Sequence, residues 1–502
     1  MSDTPGSDQV AIIGAGFAGL CMAIRLTGAR IPFTVYEKAD DIGGVWRDNT
    51  YPGAGCDVPS ALYSYSFAVN QRWSRAFPLQ DEILDYLRGC VDRYGLRPNL
   101  RFGTEIAGAR YDEQAGIWRL TATDGREFTA RILVPAVGQL NRPKWPDLPG
   151  QDTFLGTAFH SARWQHDHDS TGKTVAVIGT GPSAAQFIPH LAADARTLYV
   201  FQRSANWVLP KWDYRFGTGH RLLFRSVIGR LALRGLWFCF GDFVLYAAVR
   251  GRRLGRVVDF LCHRQLRTQI ADESLRAKLT PDFPAGCKRI LISDDYFPAL
   301  ARDNVEVITE PIAEITPDGL RTTDGRTVTV DTIVYGTGFT ATEFLAPMEI
   351  VGRTGRRLRA DAWADGASAY LGMTVPEFPN LFLLYGPNTN LGNNSVVVMI
   401  EAQVRYVLAC VRRLRGAGEL EVDPAVFARY QAELAAALHD TVWEAGCTSW
   451  YKTESGRVTN NWPGRVIGYR GRTRCPTATD FVLTGRPRHE RDTVAGQPES
   501  MG

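Results

Sequence analysis

The chain has 502 residues, too many for one ordinary core and enough for two or three domains. Its 45% hydrophobic and 22% charged residues are those of a globular protein, and a net charge of +4 over that length gives no reason to expect a nucleic-acid partner. Nine cysteines stand apart with no Cys-x-x-Cys pair, which argues against a disulfide framework, a zinc ribbon and a dithiol redox site, and points to a reducing, cytoplasmic setting.

The N-terminus, Met1 to Gln9, is polar and carries no basic leader. Val10-Ala11-Ile12-Ile13 is an apolar run that reads as a buried parallel strand. Gly14-Ala15-Gly16-Phe17-Ala18-Gly19 comes directly after it and opens a helical stretch. Gly14 suits the tight turn, Gly16 a close backbone approach to a pyrophosphate, and Gly19 close helix–strand packing, with the helix N-terminus facing the phosphates. A second strand, Phe33 to Tyr36, ends in Glu37, where an acid binds ribose hydroxyls. Strand, glycine turn, helix and acid together predict a dinucleotide site.

Asp41-Ile42-Gly43-Gly44-Val45-Trp46 and Tyr51-Pro52-Gly53-Ala54-Gly55-Cys56-Asp57 come next; alone, Asp57 reads as a turn or helix cap. Asp81 to Tyr94 has helical spacing. Residues 118–123 and 127–130 read as a hairpin through Asp124-Gly125, and Ile132 to Gly138 returns the chain to the first sheet. The stretch Phe154-x-Gly156-x-x-x-His160-x-x-x-Trp164 joins this first half of the chain to a second nucleotide signature. His166-Asp167-His168-Asp169 reads as a solvated turn, and no metal site is expected.

The second signature starts at Val175-Ala176-Val177-Ile178 and Gly179-Thr180-Gly181-Pro182-Ser183-Ala184. Its second strand, Leu198 to Phe201, leads to Arg203 and Ser204, and Arg203 occupies the position held by Glu37 in the first site. A cation there pairs with a ribose phosphate, which predicts NADPH over NADH. Residues 205–285 read as a helical, arginine- and aromatic-rich insert. Within it 222–249 is apolar but broken by Arg225, Arg230, Arg234 and Asp242, so no membrane span is expected. The segment reads as a helical cover over a pocket; the alternative is a basic amphipathic face making peripheral membrane contact to collect an apolar substrate. Gly286-Cys287-Lys288-Arg289 comes after the insert, then the strand-and-turn 331–339, the runs 370–372, 378–380 and 384–390, a helix over 395–414 reached from Gly386-Pro387, the segment 447–451 with Trp450, and 462–464.

The 154–164 stretch resembles the fingerprint of the class B flavin monooxygenases, and its closing Trp164 resembles the Baeyer–Villiger branch; Gln165 departs from the usual next residue. Gly43-Gly44-x-Trp46 with Tyr51-Pro52-Gly53-x-x-x-Asp57 is similar to the same family, as are the runs from 331 to 390. The resemblance implies an α/β fold with two Rossmann-like dinucleotide-binding domains, one for FAD and one for NADPH, the second carrying the helical insert. The expected boundaries are 1–150 and 336–483 for the FAD part, 151–335 for the NADPH part with its insert at about 205–285, and a disordered tail at 484–502. It implies FAD contacts from Gly14, Gly16, Gly19, Glu37, Gly44, Trp46, Asp57 and Gly386. NADPH contacts are implied for Gly179, Gly181, Ser183, Arg203, Ser204, Lys288 and Trp450, and a hinge role for Phe154, Gly156, His160 and Trp164. Arg289 matches the active-site arginine, with Asp57 beside it; the bland reading of Lys288-Arg289 is a surface pair. The implied activity is conversion of an apolar ketone, with O2, to an ester or lactone through a C4a-peroxyflavin. The alternative is N- or S-oxygenation through a hydroperoxyflavin. A flavin reductase or oxidase and a catalytically dead nucleotide-binding protein are the remaining readings.

Overall fold

Two parallel sheets carry the molecule, and both are built by the same local rule. In the computed structural model, which describes residues 10–250, 255–414, 418–444, 447 and 449–484, Val10–Ile13 lies between Phe33–Tyr36 and Ile132–Pro135, with Leu100–Arg101 at the outer edge. All four strands run parallel, and the strands Val10–Ile13 and Ile132–Pro135 are apolar on both faces, as a sheet covered on both sides requires. The helix Phe17–Ala29 covers one face and packs against the long helix Val396–Arg413.

The second sheet repeats the plan with five parallel strands in the order Val305–Ile308, Thr197–Phe201, Thr174–Ile178, Thr332–Tyr335 and Thr157–His160. Ile13, Tyr36 and Pro135 are in register at one edge of the first sheet; Ile178, Phe201, Tyr335 and His160 are in register at one edge of the second. In each case the chain leaves the carboxyl ends of the strands through glycine turns. Open parallel sheets bind ligands at that edge.

Smaller antiparallel units flank the two sheets. Ile106–Asp112, Ile117–Ala122 and Glu127–Ala130 form a meander through the Asp124-Gly125 turn, and Glu349–Val351 adds to it in parallel. The helix over 81–94 is present as Gln80–Arg93. Glu419–Val422 pairs with Phe481–Thr484, so Thr484 ends a strand; the remainder of the expected tail, 485–502, lies outside the described residues, as does 1–9. The expected insert is helical: Thr218–Arg225, Val227–Cys239, a π-helical turn Phe240–Leu245, Tyr246–Val249, Gly255–Gln269 and Glu273–Lys278.

One expectation from cysteine spacing is corrected. Cys287 and Cys447, with Cα atoms 6.3 Å apart, form a disulfide across 160 residues of sequence. The other seven cysteines are free. Spacing along the chain carries no information about a pair brought together only by the tertiary fold.

Candidate active site

The carboxyl edges of the two sheets face one continuous cleft of about 1470 Å³. That is larger than a pocket for one drug-sized molecule. Gly14, Gly16, Glu37, Gly44 and Trp46 line it from the first sheet's side; Gly179, Gly181, Ser183, Arg203 and Ser204 line it from the second.

The two glycine turns are shaped alike. Gly14 has φ +102° and Gly179 φ +103°, a region L side chains rarely adopt. A Cβ on Gly14 would lie 2.8 Å from the Ala136 carbonyl oxygen, and one on Gly179 would lie 2.5 Å from that of Gly336. Gly19 does not line the cleft; a Cβ there would stand 1.9 Å from the Gly14 carbonyl, so its part is the close approach of helix to turn. Gly16 and Gly181 cap the helices Phe17–Ala29 and Pro182–Asp194 in extended conformation with no side chain in the way, leaving first-turn N–H groups free for an anion.

Behind each turn sits the charge expected from the sequence. The buried Glu37 carboxylate accepts the Ala15 N–H at 2.7 Å and the Ala39 N–H at 3.1 Å, and pairs with Arg47 at 3.1 Å. At the second site Arg203 is exposed, and the half-buried Lys288 donates from Nζ to Ser204 Oγ at 2.7 Å. Burial first, and then the nearby Arg203, hold the Lys288 amine below its ordinary value. Neither cation has a carboxylate within ion-pair distance among the described residues. Two repelling cations and a hydroxyl gathered at the cleft fit a doubly charged phosphate.

Arg289 and Asp57 meet in the wall between the two halves. Arg289 donates to Asp57 Oδ2 from Nε at 3.0 Å and from Nη2 at 2.6 Å. Their side chains are 26% and 22% exposed, so each is held in place yet reaches the cleft. Burial alone would raise the Asp57 carboxyl; the Arg289 guanidinium outweighs it and holds the group below the usual carboxylate range. Asp57 in turn raises Arg289 further, against burial. Tyr385 and Tyr451 are raised by burial, Tyr451 to about 12, and the charge of Arg289 draws both back down.

The loop that carries Asp57 is fastened to the other half of the molecule. Gln186, on the helix Pro182–Asp194, accepts the Tyr51 hydroxyl at 3.0 Å and the Gly55 N–H at 3.3 Å, and donates to the Gly55 carbonyl at 2.9 Å. A Cβ on Gly53 would lie 2.7 Å from the Gln186 carbonyl oxygen. Sequence reasoning missed Gln186, because one helical glutamine carries no signal until its partner loop is known. The Cys287–Cys447 disulfide ties the loop before Lys288 and Arg289 to the segment with Trp450, and Cys447 and Trp450 both line the cleft.

The fingerprint residues lie outside the cleft wall. Phe154 folds over Gly156, where a Cβ would meet the ring at 2.5 Å. Trp164 packs against Phe159 and Phe187. His160 ends the edge strand fully buried; its Nδ1 accepts the Ala162 N–H at 3.1 Å and its Nε2 has no partner. Burial lowers the imidazole to about 4, so it is neutral at pH 7. The helix expected over 395–414 is present, but the expectation that Gly386-Pro387 opens it is corrected. Gly386 packs on the Gly372 carbonyl, away from the main cleft, and the helix starts at Val396 with Ser395 as its cap, accepting the Val397 N–H at 3.3 Å. A loop separates Gly386 from that helix. In the 166–169 loop the histidines go to separate partners, His166 to Thr50 and His168 to Thr332, each at 2.8 Å. No group of residues able to hold a metal is found among the described residues.

Residues 7–347 match the model of the flavin-binding monooxygenase-like family. A Baeyer–Villiger monooxygenase of Streptomyces coelicolor is 42% identical over 93% of this chain and 91% of its own length. One from Pseudomonas aeruginosa is 42% identical over 95% and 92%. The chain belongs to this family, in its Baeyer–Villiger group. Among solved structures, an oxidized steroid monooxygenase bound to NADP superposes with a TM-score of 0.86 at 32% identity, covering 95% of this chain and 99% of the other. A complex of OTEMO with FAD and NADP gives 0.86 at 30%, covering 96% and 100%. Both are mixed α/β likenesses over nearly the whole length, so the paired sheets belong to the monooxygenase fold rather than to this sequence alone.

Proposed function

We propose that the two glycine turns hold FAD and NADPH on facing sides of the cleft, and that the enzyme is a Baeyer–Villiger monooxygenase taking an apolar ketone and O2 to an ester or lactone. The cofactor reading is supported by relatives and neighbours whose names carry FAD, NADP and Baeyer–Villiger activity. In this reading residues 1–150 and 336–483 form the FAD part and 151–335 the NADPH part. Gly14, Gly16 and Gly44 give the FAD pyrophosphate its backbone approach, Glu37 faces the ribose, and Trp46 closes the flavin side. Arg203, Lys288 and Ser204 take the ribose phosphate of NADPH. Gly179, Gly181 and Ser183 take its pyrophosphate, and Trp450 lies near its nicotinamide. Phe154, Gly156, His160 and Trp164 brace the edge strand through which the halves connect. Seven of the nine cysteines are free, which supports a cytoplasmic location, while the Cys287–Cys447 disulfide weighs against it. Among the described residues no helix is long and apolar enough to cross a membrane.

When bound, the reduced flavin supplies the O2 chemistry that delivers one oxygen atom next to a carbonyl. The chain supplies charge and position. Arg289 presents a guanidinium that stays charged at every working pH and gives up no proton. Aimed into the cleft, it stabilises the oxyanion that forms as the carbonyl is attacked, a contribution of about 3 kcal/mol for one good donor. Asp57 fixes two of its N–H groups, so the remaining ones keep one direction. Gln186 holds the Asp57 loop, so the pair is placed by both halves at once.

The Arg289–Asp57 pair in the wall shared by both nucleotide sites carries this reading. It favours carbonyl chemistry over N- or S-oxygenation, where no oxyanion of this kind develops. Arg289→Ala is expected to abolish ester formation while NADPH oxidation continues. Ester formation by Arg289→Ala at the wild-type rate would reject the assignment.

A further inference from the structure

The helical insert has two unlike sides. Its inner side is fastened to segments beside the cleft. Arg234 Nη1 donates to the carbonyls of Leu62 and Ser64 at 3.2 and 2.9 Å. Asn393 donates to the Gly241 carbonyl at 2.9 Å, and Asn394, which lines the cleft, donates to the Phe238 carbonyl at 3.2 Å. Asp242 is wholly buried and accepts the Val466 and Ile467 N–H groups at 2.6 and 3.3 Å.

The outer side is apolar and basic. Eleven of the eighteen large hydrophobic side chains exposed among the described residues fall in 218–270, about a tenth of the chain. On the helix Val227–Cys239, the exposed residues Val227, Ile228, Leu231, Ala232, Leu236 and Cys239 share one stripe at helical spacing, and none of them is charged. Ile228 is 81% exposed. On Gly255–Gln269, Arg256, Phe260, Arg264 and Arg267 are exposed at i, i+4, i+8 and i+11, again one stripe. Residues 218–270 hold ten of the chain's 57 basic residues and two of its 53 acidic ones; without them the net charge of +4 becomes −4. Of those two acids Asp242 is spent on backbone and Asp259 is half-buried; of the ten basic residues Arg234 lies on the inner side and Arg250 pairs with Asp440 at 3.7 Å.

We propose that this outer face docks on a bilayer carrying anionic phospholipid. A monomeric surface does not ordinarily gather so many exposed large side chains, and helices with an apolar stripe and a basic border lie in the membrane interface. Arginines at the border reach the headgroups while their stems lie along apolar surface. The charge argues for lipid over a self-contact, because like faces meeting in a dimer would bring the arginine stripes together. The helix Val227–Cys239 meets the cleft wall through Asn394, so docking sets the cleft beside the layer where an apolar ketone dissolves. The delivery of substrate rests on the proposed function; the docking does not.

The test is flotation of the FAD-loaded, full-length protein with phosphatidylcholine vesicles, with and without phosphatidylglycerol. Turnover of a water-soluble ketone and flavin absorbance serve as controls. The wild type is expected to float with the anionic vesicles and to be released by high salt. Ile228→Ser/Leu231→Ser and, separately, Arg264→Glu/Arg267→Glu are each expected to lower the bound fraction at least about tenfold with flavin content and soluble turnover unchanged. The charge pair keeps the test open if the serine pair loses flavin. Absence of vesicle binding by the wild type overturns the proposal. So does a dimer in solution that the Ile228→Ser/Leu231→Ser change converts to monomer. Vesicle binding without turnover of any ketone would leave docking standing and reject the enzymatic reading alone.

Discussion

Removal of Arg203 isolates the basis of cofactor choice. Arg203 is exposed and Lys288 half-buried, and the two repel across Ser204. An exposed ion pair is worth up to about 1 kcal/mol, whereas a charged hydrogen bond from a partly buried donor is worth about 1.5–3 kcal/mol. Arg203→Ala is therefore expected to raise the KM for NADPH about fivefold, and Lys288→Ala about 10- to 100-fold. NADH has no ribose phosphate, so its KM stays unchanged in both. A second consequence separates a phosphate site from general damage. Lys288 binds phosphate only when protonated, and its lowered value makes NADPH affinity fall at a lower pH than an ordinary lysine would allow. Removing Arg203 lifts part of that depression, so the alkaline limb of NADPH affinity moves to higher pH. Steady-state kinetics with both nucleotides across pH measures each point. Equal losses for NADPH and NADH, or an alkaline limb that does not move, would refute the reasoning.

His160 sets part of the acid limit of stability. Its imidazole takes a proton at about 4 in the folded chain and at about 6.5 when unfolded. Between these values the unfolded chain holds more protons, so the contribution is complete above pH 6.5 and is lost as the pH falls towards 4. The full difference is about 3 kcal/mol. His160→Gln is expected to flatten the stability–pH slope in that range by about one proton; an unchanged slope in denaturant unfolding would contradict the burial argument. Alkylation under denaturing, non-reducing conditions is expected to label seven cysteines, and nine after reduction, because Cys287 and Cys447 are paired. Nine labelled without reduction would remove that tie between the Arg289 loop and the Trp450 segment.

The legible parts of the sequence were those where one residue type is forced by local backbone geometry or by charge. Gly14 and Gly179 need positive φ, and their strand–turn–helix setting is local, so both nucleotide sites could be read from short stretches. Arg203 could be placed by its position in the repeat of that motif. Arg289 and Asp57 are 232 residues apart, and only the family resemblance joined them. What escaped is what only the tertiary fold brings together. Gln186 meets Gly55 across 131 residues, and Cys287 meets Cys447 across 160. The helix over 395–414 was legible from its apolar spacing and is present as Val396–Arg413 with Ser395 as its cap; only its opening from Gly386-Pro387 was misplaced, because Gly386 packs on Gly372 and a loop intervenes. The insert was read as a pocket cover with a basic amphipathic face as its alternative. Its helices are present, but none of their residues lines the cleft, so the pattern of exposed side chains and not the cover reading carries the docking proposal.

The central claim is that this cleft inserts oxygen from O2 beside a ketone carbonyl at the expense of NADPH. The most direct measurement supplies the purified, FAD-loaded enzyme with NADPH, isotopically labelled O2 and a panel of apolar ketones, amines and sulfides, and traces the label by mass. The account predicts one labelled oxygen in an ester or lactone for each NADPH oxidised, with the label lost in Arg289→Ala. Label appearing only in N- or S-oxides, or NADPH consumed by the wild type with no labelled product from any ketone, would contradict it.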